Sequence, residues 1–212
     1  FGVPYTLYTK EQLVLFVADM AAVSEYLGRP ALIASILGDY LTQFYLLIGG
    51  AATILTLFML LLWCGARRVL RGFGASTLAA TAWALLPVAT EVALNGYLEY
   101  PLSMTIASVM AVWTLAAWMC LREGTVKYIV AFVLAAVIYW LAGAHVAIFA
   151  LGAALWMWRE QHRVLGVLML AVSAVVVAII GVAFYLPISQ AYCYPLIENY
   201  MLQNCYAFLA TE

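Results

Sequence analysis

The chain has 212 residues, of which 68% are hydrophobic and 9% are charged, and its formal net charge is −1. Soluble domains are nearer half apolar and a quarter charged, so this composition indicates an all-α, polytopic integral membrane protein. A β-barrel would need repeated segments of alternating polarity, which the sequence lacks. The small net charge predicts no nucleic-acid partner. Because the chain begins at Phe1, we expect flanking domains of a longer chain.

Residues 1–40 precede the long apolar stretches and mix polar with apolar side chains. Residues 10–27 predict an amphipathic helix, with acids on one arc and large apolar side chains on the other. This helix carries more acids than basic residues, unlike a lipid-seeking peptide, so we expect it to lie at the outer interface, packed on the bundle. Gly28-Arg29-Pro30 ends it, and Pro30 suits the first turn of the next helix.

We predict a membrane bundle over residues 41–186, with about six embedded helices. Helical periodicity already begins at Ala31, so a break is expected at Gly38 or at Gly49-Gly50. Pro87 predicts a kink. The polar, aromatic residues 187–212 form an outer tail that could start a soluble domain. The predicted embedded helices are 41–63, 75–94, 102–121, 127–141, 144–158 and 164–186.

The central apolar stretch, residues 128–158, contains no Asp, Glu, Lys or Arg and carries His145 near its middle. It is too long for one ordinary span and short for two. Basic residues flank both of its ends, and the positive-inside bias favours both flanks in the cytoplasm. We therefore predict a hairpin of two short helices that meet at residues 142–145. Backbone that turns inside the membrane must be buried or line a wet cavity, so a polar recess should open to the outer face.

The basic residues also predict the sidedness of the whole chain. Those that fall in the predicted cytoplasmic loops are Arg67, Arg68, Arg71, Arg122, Lys127, Arg159 and Arg163. This distribution predicts a multi-pass protein of the cell (inner) membrane, with residues 1–40 and 187–212 on the outer, periplasmic side. Cys64 and Cys120 then lie on the cytoplasmic, reducing side of the membrane. Cys193 and Cys205 lie on the outer side, where both a disulfide between them and two free thiols remain open.

The candidates for chemistry are ionisable residues on the predicted outer side. Glu91 stands out because it lies in an apolar helix, where burying a carboxylate costs at least a few kcal/mol unless it is paired, protonated or hydrated. Simpler roles stay open, such as helix packing, helix capping or a solvated charge. His145 and His162 lie on opposite sides of the membrane, so they cannot share one metal. The candidate set is Glu11, Asp39, Glu91, Glu99 and His145.

A short segment carries a family resemblance. Residues 10–16, KEQLVLF, followed by Gln43-Phe44 and several spans, resemble the amino-terminal half of GT-C-type membrane glycosyltransferases. Those enzymes carry an acidic motif in the first outer loop and use polyprenyl-phosphate donors. The resemblance implies that Glu11 is the motif acid and that Lys10 and Arg29 contact the lipid phosphate. A divalent metal held by Glu11, Asp39 or Glu99 could take their place. The segment is also similar to an uncharacterised bacterial multi-span family.

Three functions follow as expectations. The first is sugar transfer from a polyprenyl-phosphate donor at the outer face, with a carboxylate as general base. The second is a transporter or channel with a polar recess at Glu91 and His145. The third is a non-catalytic membrane anchor for an outer domain. We favour the first, with the lipid bilayer and a polyprenyl-phosphate lipid as the expected partners.

Overall fold

The computed structural model describes residues 26–27, 30–97, 100–122 and 124–183, and these residues form helices and turns without a strand. This confirms the all-α class. The predicted interfacial helix lies almost wholly outside the described residues. We number the helices in chain order and name two 3-10 turns by their residues. The elements are α1 Leu32–Thr42, the 3-10 turn Gln43–Leu46, α2 Gly50–Gly72, α3 Thr77–Trp83, α4 Leu85–Asn95, α5 Leu102–Met119, α6 Thr125–Ala142, the 3-10 turn Gly143–His145, α7 Val146–Arg159 and α8 Arg163–Ala183.

Five helical stretches of the described chain are long and apolar enough to cross a membrane. One of them, Thr125–Arg159, contains the turn between α6 and α7. Many of their large apolar side chains are exposed, as suits a surface that faces lipid. The protein is therefore a membrane protein by its helical architecture. The five stretches are Gly50–Gly72, Thr77–Asn95, Leu102–Met119, Thr125–Arg159 and Arg163–Ile180.

Helix α5 is the centre of the bundle, with 67% of its span buried, against 39% or less for each of the other four. It packs against α1, α2, α6 and α7. Small residues allow this close packing, since helices without bulky side chains at a crossing can approach closely. A Cβ on Gly38 of α1 would lie 2.9 Å from the Ser103 backbone of α5. A Cβ on Gly152 of α7 would overlap the Leu115 side chain of α5.

Helices α6 and α7 form the predicted hairpin. Gly143, at φ 66 and ψ −141, reverses the chain in a conformation that favours glycine. Lys127 near the start of α6 has its Nζ 4.9 Å from the Trp156 ring centre near the end of α7. In one continuous helix those two residues would be about 43 Å apart, at about 1.5 Å per residue. The chain therefore turns back, and both basic flanks lie at the same end.

Glycine and proline account for two of the breaks between the remaining helices. Gly49, at φ 80, precedes α2, so the chain breaks at Gly49-Gly50, which was one of the two predicted places. Helix α2 thus begins at Gly50 instead of near residue 41 and continues to Gly72. Ala84 separates α3 from α4 because Pro87 has no N–H to donate to the carbonyl of Trp83.

The bundle has two chemically different ends. At the basic end, Arg159 Nη1 donates to the Gly72 carbonyl at 2.9 Å, and Trp118 Nε1 donates to the Lys127 carbonyl at 2.9 Å. The end of α2, the end of α5 and both feet of the hairpin therefore meet there. The opposite end, which we call the hairpin end, holds the Gly143–His145 turn. There the Ala31 N–H donates to the Tyr139 carbonyl at 3.4 Å.

Candidate functional site

Glu91 lies at the hairpin end of α4, is only 6% exposed, and is the centre of a hydroxyl cluster. Its Oε2 accepts hydrogen bonds from Tyr100 Oη and Thr105 Oγ1, both at 3.0 Å. Its Oε1 accepts one from Ser108 Oγ at 2.5 Å. Each of the three hydroxyl groups donates to a carboxylate oxygen, so both oxygens of Glu91 have donors. The Glu91 side chain therefore joins α4 to α5.

Asn95 extends the cluster by one helical turn. Its Nδ2 donates to the Glu91 carbonyl and to Thr105 Oγ1, both at 2.9 Å. Thr105 is fully buried, and its hydroxyl both accepts from Asn95 and donates to Glu91. This relay fixes the rotation of α4 against α5, because each group can reach its partner in only one alignment of the two helices.

Tyr100 closes the cluster from the loop before α5. Burial, together with the neighbouring Glu91 carboxylate, raises the pKa of Tyr100 above its ordinary value. Its hydroxyl therefore stays protonated at neutral pH and remains a donor to Glu91. Tyr45 lies in the Gln43–Leu46 turn, and burial raises the pKa of its hydroxyl as well.

His145 lies at the tip of the hairpin, close enough to Glu91 for the two side chains to interact electrostatically. Its Nδ1 is buried and has no hydrogen-bond partner among the described residues. The fold thus brings together two of the predicted site residues that are 54 positions apart in the chain. A buried polar atom without a partner is rare and is a point where a water or a ligand would be stabilised.

The other predicted site residues divide into two groups. The Asp39 carboxylate on α1 accepts a hydrogen bond from Tyr26 Oη at 2.6 Å, so it ties α1 to the preceding helical turn. The rest lie outside the described residues, so their predicted roles stay predictions. That group is Lys10, Glu11, Arg29 and Glu99. The part of the chain described here brings no three His, Cys, Asp or Glu side chains together as a metal site.

An apolar groove runs beside the cluster, between α2 and α4. It has a volume of about 720 Å³ and is open along one side. Its walls span residues 52–63 of α2 and residues 85–96, which are α4 and the residue after it. Either wall corresponds to about 16 Å along the helix axis at about 1.5 Å per residue. Trp63 lies at one end, and Asn95 and Gly96 lie at the other. The groove therefore ends at a side chain that is hydrogen-bonded into the Glu91 cluster.

The hydrogen-bond partners of Glu91 were not predicted from the sequence. Thr105 and Ser108 are three residues apart, so they share one face of α5, and that spacing was the available signal. No comparable signal in the sequence marks Tyr100, because a tyrosine beside a predicted loop is common at a membrane interface. Tryptophans near the predicted cytoplasmic ends of the helices predict an aromatic belt at the membrane interface, and one of them departs from it; the four are Trp63, Trp118, Trp156 and Trp158. Trp118 is 1% exposed and packs on Lys127 inside the bundle, so it does not face lipid.

The comparisons with known proteins show only which family the chain belongs to. Neither the curated proteins nor the solved structures contain a match to this chain. The family described as "Family of unknown function (DUF6057)" matches residues 1–212. This agrees with the expectation of an uncharacterised multi-span family, and it leaves the glycosyltransferase resemblance as a proposal. The chain belongs to the DUF6057 family.

Proposed function

We propose that this chain is a glycosyltransferase-like membrane protein that transfers a sugar from a polyprenyl-phosphate donor at the hairpin end, which is the predicted outer face. The observation that supports this most is the apolar groove between α2 and α4, which ends at Asn95. A polyprenyl chain is long, flexible and apolar, and a groove that is open to lipid along its side admits such a chain. The phosphate and sugar would then lie beyond Gly96, next to the Glu91 cluster.

The proposed reaction needs a base, a cation and a leaving group. A carboxylate takes the proton from the acceptor hydroxyl, the hydroxyl oxygen bonds to the anomeric carbon, and the polyprenyl phosphate leaves with the bonding electron pair. By the resemblance, Glu11 is the base, and Lys10 and Arg29 contact the phosphate. Glu91 is a positioning residue in this proposal, because hydroxyl donors occupy both of its oxygens.

The groove can be tested with a matched pair of variants. Val92 lines the groove and Val167 of α8 does not, and both are 57% exposed to the membrane. Val92→Trp would fill the groove and should lower undecaprenyl-phosphate binding, measured by native mass spectrometry, at least tenfold. Val167→Trp should bind like the unaltered protein. Equal binding by both variants would remove the groove from the proposal.

The chemistry needs a separate test. Glu11→Gln should abolish sugar transfer from a polyprenyl-phosphate-linked sugar while leaving undecaprenyl-phosphate binding intact. Glu160→Gln, a carboxylate at the basic end, is the control and should retain activity. Full transfer by Glu11→Gln would refute the assignment of the base, and loss of lipid binding in that variant would indicate a structural role for Glu11.

A second candidate is proton or solute transport, which the position of Glu91 and His145 at the same end of the bundle favours. A buried acid, and an imidazole Nδ1 without a hydrogen-bond partner among the described residues, are elements of a proton path through a membrane. Transport predicts that Glu91→Gln and His145→Ala each abolish flux in proteoliposomes. Undiminished flux in both variants would dismiss this candidate.

A further inference from the structure

A second polar feature lies at the basic end, away from Glu91. It is a recess of about 600 Å³ lined by Cys64, Arg67, Arg68, Arg71, Gly72 and Trp113. The cysteine and the three arginines have the spacing i, i+3, i+4, i+7, which places them along one face of α2. The arginines were expected in a loop, and they lie instead on the last turns of this helix.

The facing wall comes from α5. Trp113 Nε1 donates to the Leu61 carbonyl of α2 at 3.0 Å. This contact requires a small residue opposite the indole, since a Cβ on Gly65 would lie 3.1 Å from Trp113 Nε1. The indole is therefore held in place against α2, and the recess is a fixed feature of the α2–α5 pair.

None of the three guanidinium groups in this recess forms an ion pair among the described residues. Arg67 Nε is buried and finds no hydrogen-bond partner in the part of the chain that the structure describes, although the guanidinium stacks 5.6 Å from the Trp63 ring centre. Arg68 Nη2 donates to Cys120 Sγ at 3.4 Å, which is a weak acceptor. Like charges at these spacings repel, so an anion in the recess would relieve the repulsion and satisfy the donors.

We propose that this recess binds the phosphate group of an anionic membrane lipid. The phosphate would lie among the three guanidinium groups, whose planar donors suit phosphate oxygens. Leu57 and Leu61 continue the arginine face toward the membrane centre, and they are 55% and 37% exposed. An acyl chain attached to the phosphate would lie along them. A soluble phosphate would gain nothing from this apolar strip, which favours a lipid as the source of the anion.

The test uses the full chain in neutral detergent and measures lipid retention by native mass spectrometry. Phosphatidylglycerol is the anionic probe, phosphatidylcholine is the zwitterionic comparison, and glycerol phosphate is the headgroup without acyl chains. The double variant Arg67→Gln/Arg71→Gln removes two charges from the recess. The control Arg122→Gln/Arg163→Gln removes two exposed charges that do not line the recess.

We expect the unaltered protein to retain phosphatidylglycerol in preference to phosphatidylcholine. The recess variant should bind phosphatidylglycerol about 25-fold more weakly, at about fivefold for each of the two arginines near a membrane surface. The control should stay within about threefold. Equal retention of both lipids by the unaltered protein would overturn the proposal, and that comparison needs no variant. Equal losses in the two double variants would overturn it as well. Displacement of the lipid by equimolar glycerol phosphate would assign the recess to a soluble phosphate compound.

Discussion

Replacing Glu91 should loosen α4 from α5, and the size of the effect follows from its hydrogen bonds. Glu91→Ala removes the acceptor of Tyr100, Thr105 and Ser108 together. Polar contacts between membrane helices contribute about 0.6 kcal/mol on average and up to about 1.7 kcal/mol each. Three of them predict that Glu91→Ala lowers the free energy of unfolding by about 2 to 5 kcal/mol. The cavity left by the side chain acts in the same direction.

Glu91→Gln should be milder, because the amide keeps one oxygen and a nearly equal volume. Its NH₂ replaces an acceptor by a donor, but the hydroxyls of Ser108 and Thr105 can rotate to accept from it. We expect a loss of about 1 kcal/mol, which is close to one hydrogen bond.

Both losses are measurable by reversible unfolding in mixed micelles. Thr90→Ala is the control, since Thr90 is exposed and its hydroxyl donates only to the Leu86 carbonyl of its own helix. This variant should stay within about 0.5 kcal/mol of the unaltered protein. A Glu91→Ala variant as stable as Thr90→Ala would refute the view that the hydroxyl cluster holds the two helices together.

Three further predictions follow. Folding raises the pKa of Tyr100, so its contribution to stability is complete below the unfolded value of about 10 and is lost as pH rises above it. Tyr100→Phe should therefore flatten the fall in stability between about pH 10 and 12, and an unchanged slope would contradict this reasoning. Gly152→Ala should cost about 1 to 3 kcal/mol, because its Cβ would overlap the Leu115 side chain, and a neutral result would contradict the close α5–α7 contact. The exposed thiols of Cys64 and Cys120 should react with a membrane-impermeant maleimide only from the cytoplasmic side, and labelling from outside would reverse the predicted sidedness.

The hairpin was predictable because length and charge constrain it independently. The apolar stretch exceeds one span, and the basic residues at its two ends favour the same side of the membrane. Gly143 then supplies a conformation that other residues avoid, in the place where the turn was expected. These constraints act along the chain and need no knowledge of the neighbouring helices.

The bounds of α2 were harder to predict because apolar periodicity alone does not say where a helix enters or leaves the membrane. Arginine is a good helix former, so the helix continues through Arg67, Arg68 and Arg71 instead of ending before them. Their long side chains allow the charged groups to reach the interface from a helical backbone. A cluster of basic residues therefore marks the side of the membrane more reliably than it marks a loop.

Glu91 was predictable as a special residue, but its partners were not. The cost of a carboxylate in an apolar helix can be read from the sequence, since it depends on that one helix and its surroundings. Which hydroxyls satisfy the carboxylate depends on the rotation and the height of α5 relative to α4. The proximity of His145 depends in addition on the depth at which the hairpin turns. The rotation and height of α5 and the depth of the hairpin turn leave no signal in the spacing of residues along the chain.

The two ends of the bundle should respond differently to salt, because their charges are satisfied in different ways. At the hairpin end, neutral hydroxyls surround Glu91 within a buried cluster, where mobile ions do not reach. At the basic end, Arg68 and Arg71 are exposed and form no ion pair among the described residues, so dissolved ions screen them.

Raising the salt concentration from about 0.1 M to about 1 M shortens the screening length from about 10 Å to about 3 Å. Phosphatidylglycerol retention should therefore fall steeply with salt, whereas the stability difference between Glu91→Ala and the unaltered protein should not change. A salt-independent lipid affinity would indicate binding through the acyl chains alone. A stability difference that vanished in salt would mean that the Glu91 cluster is open to water.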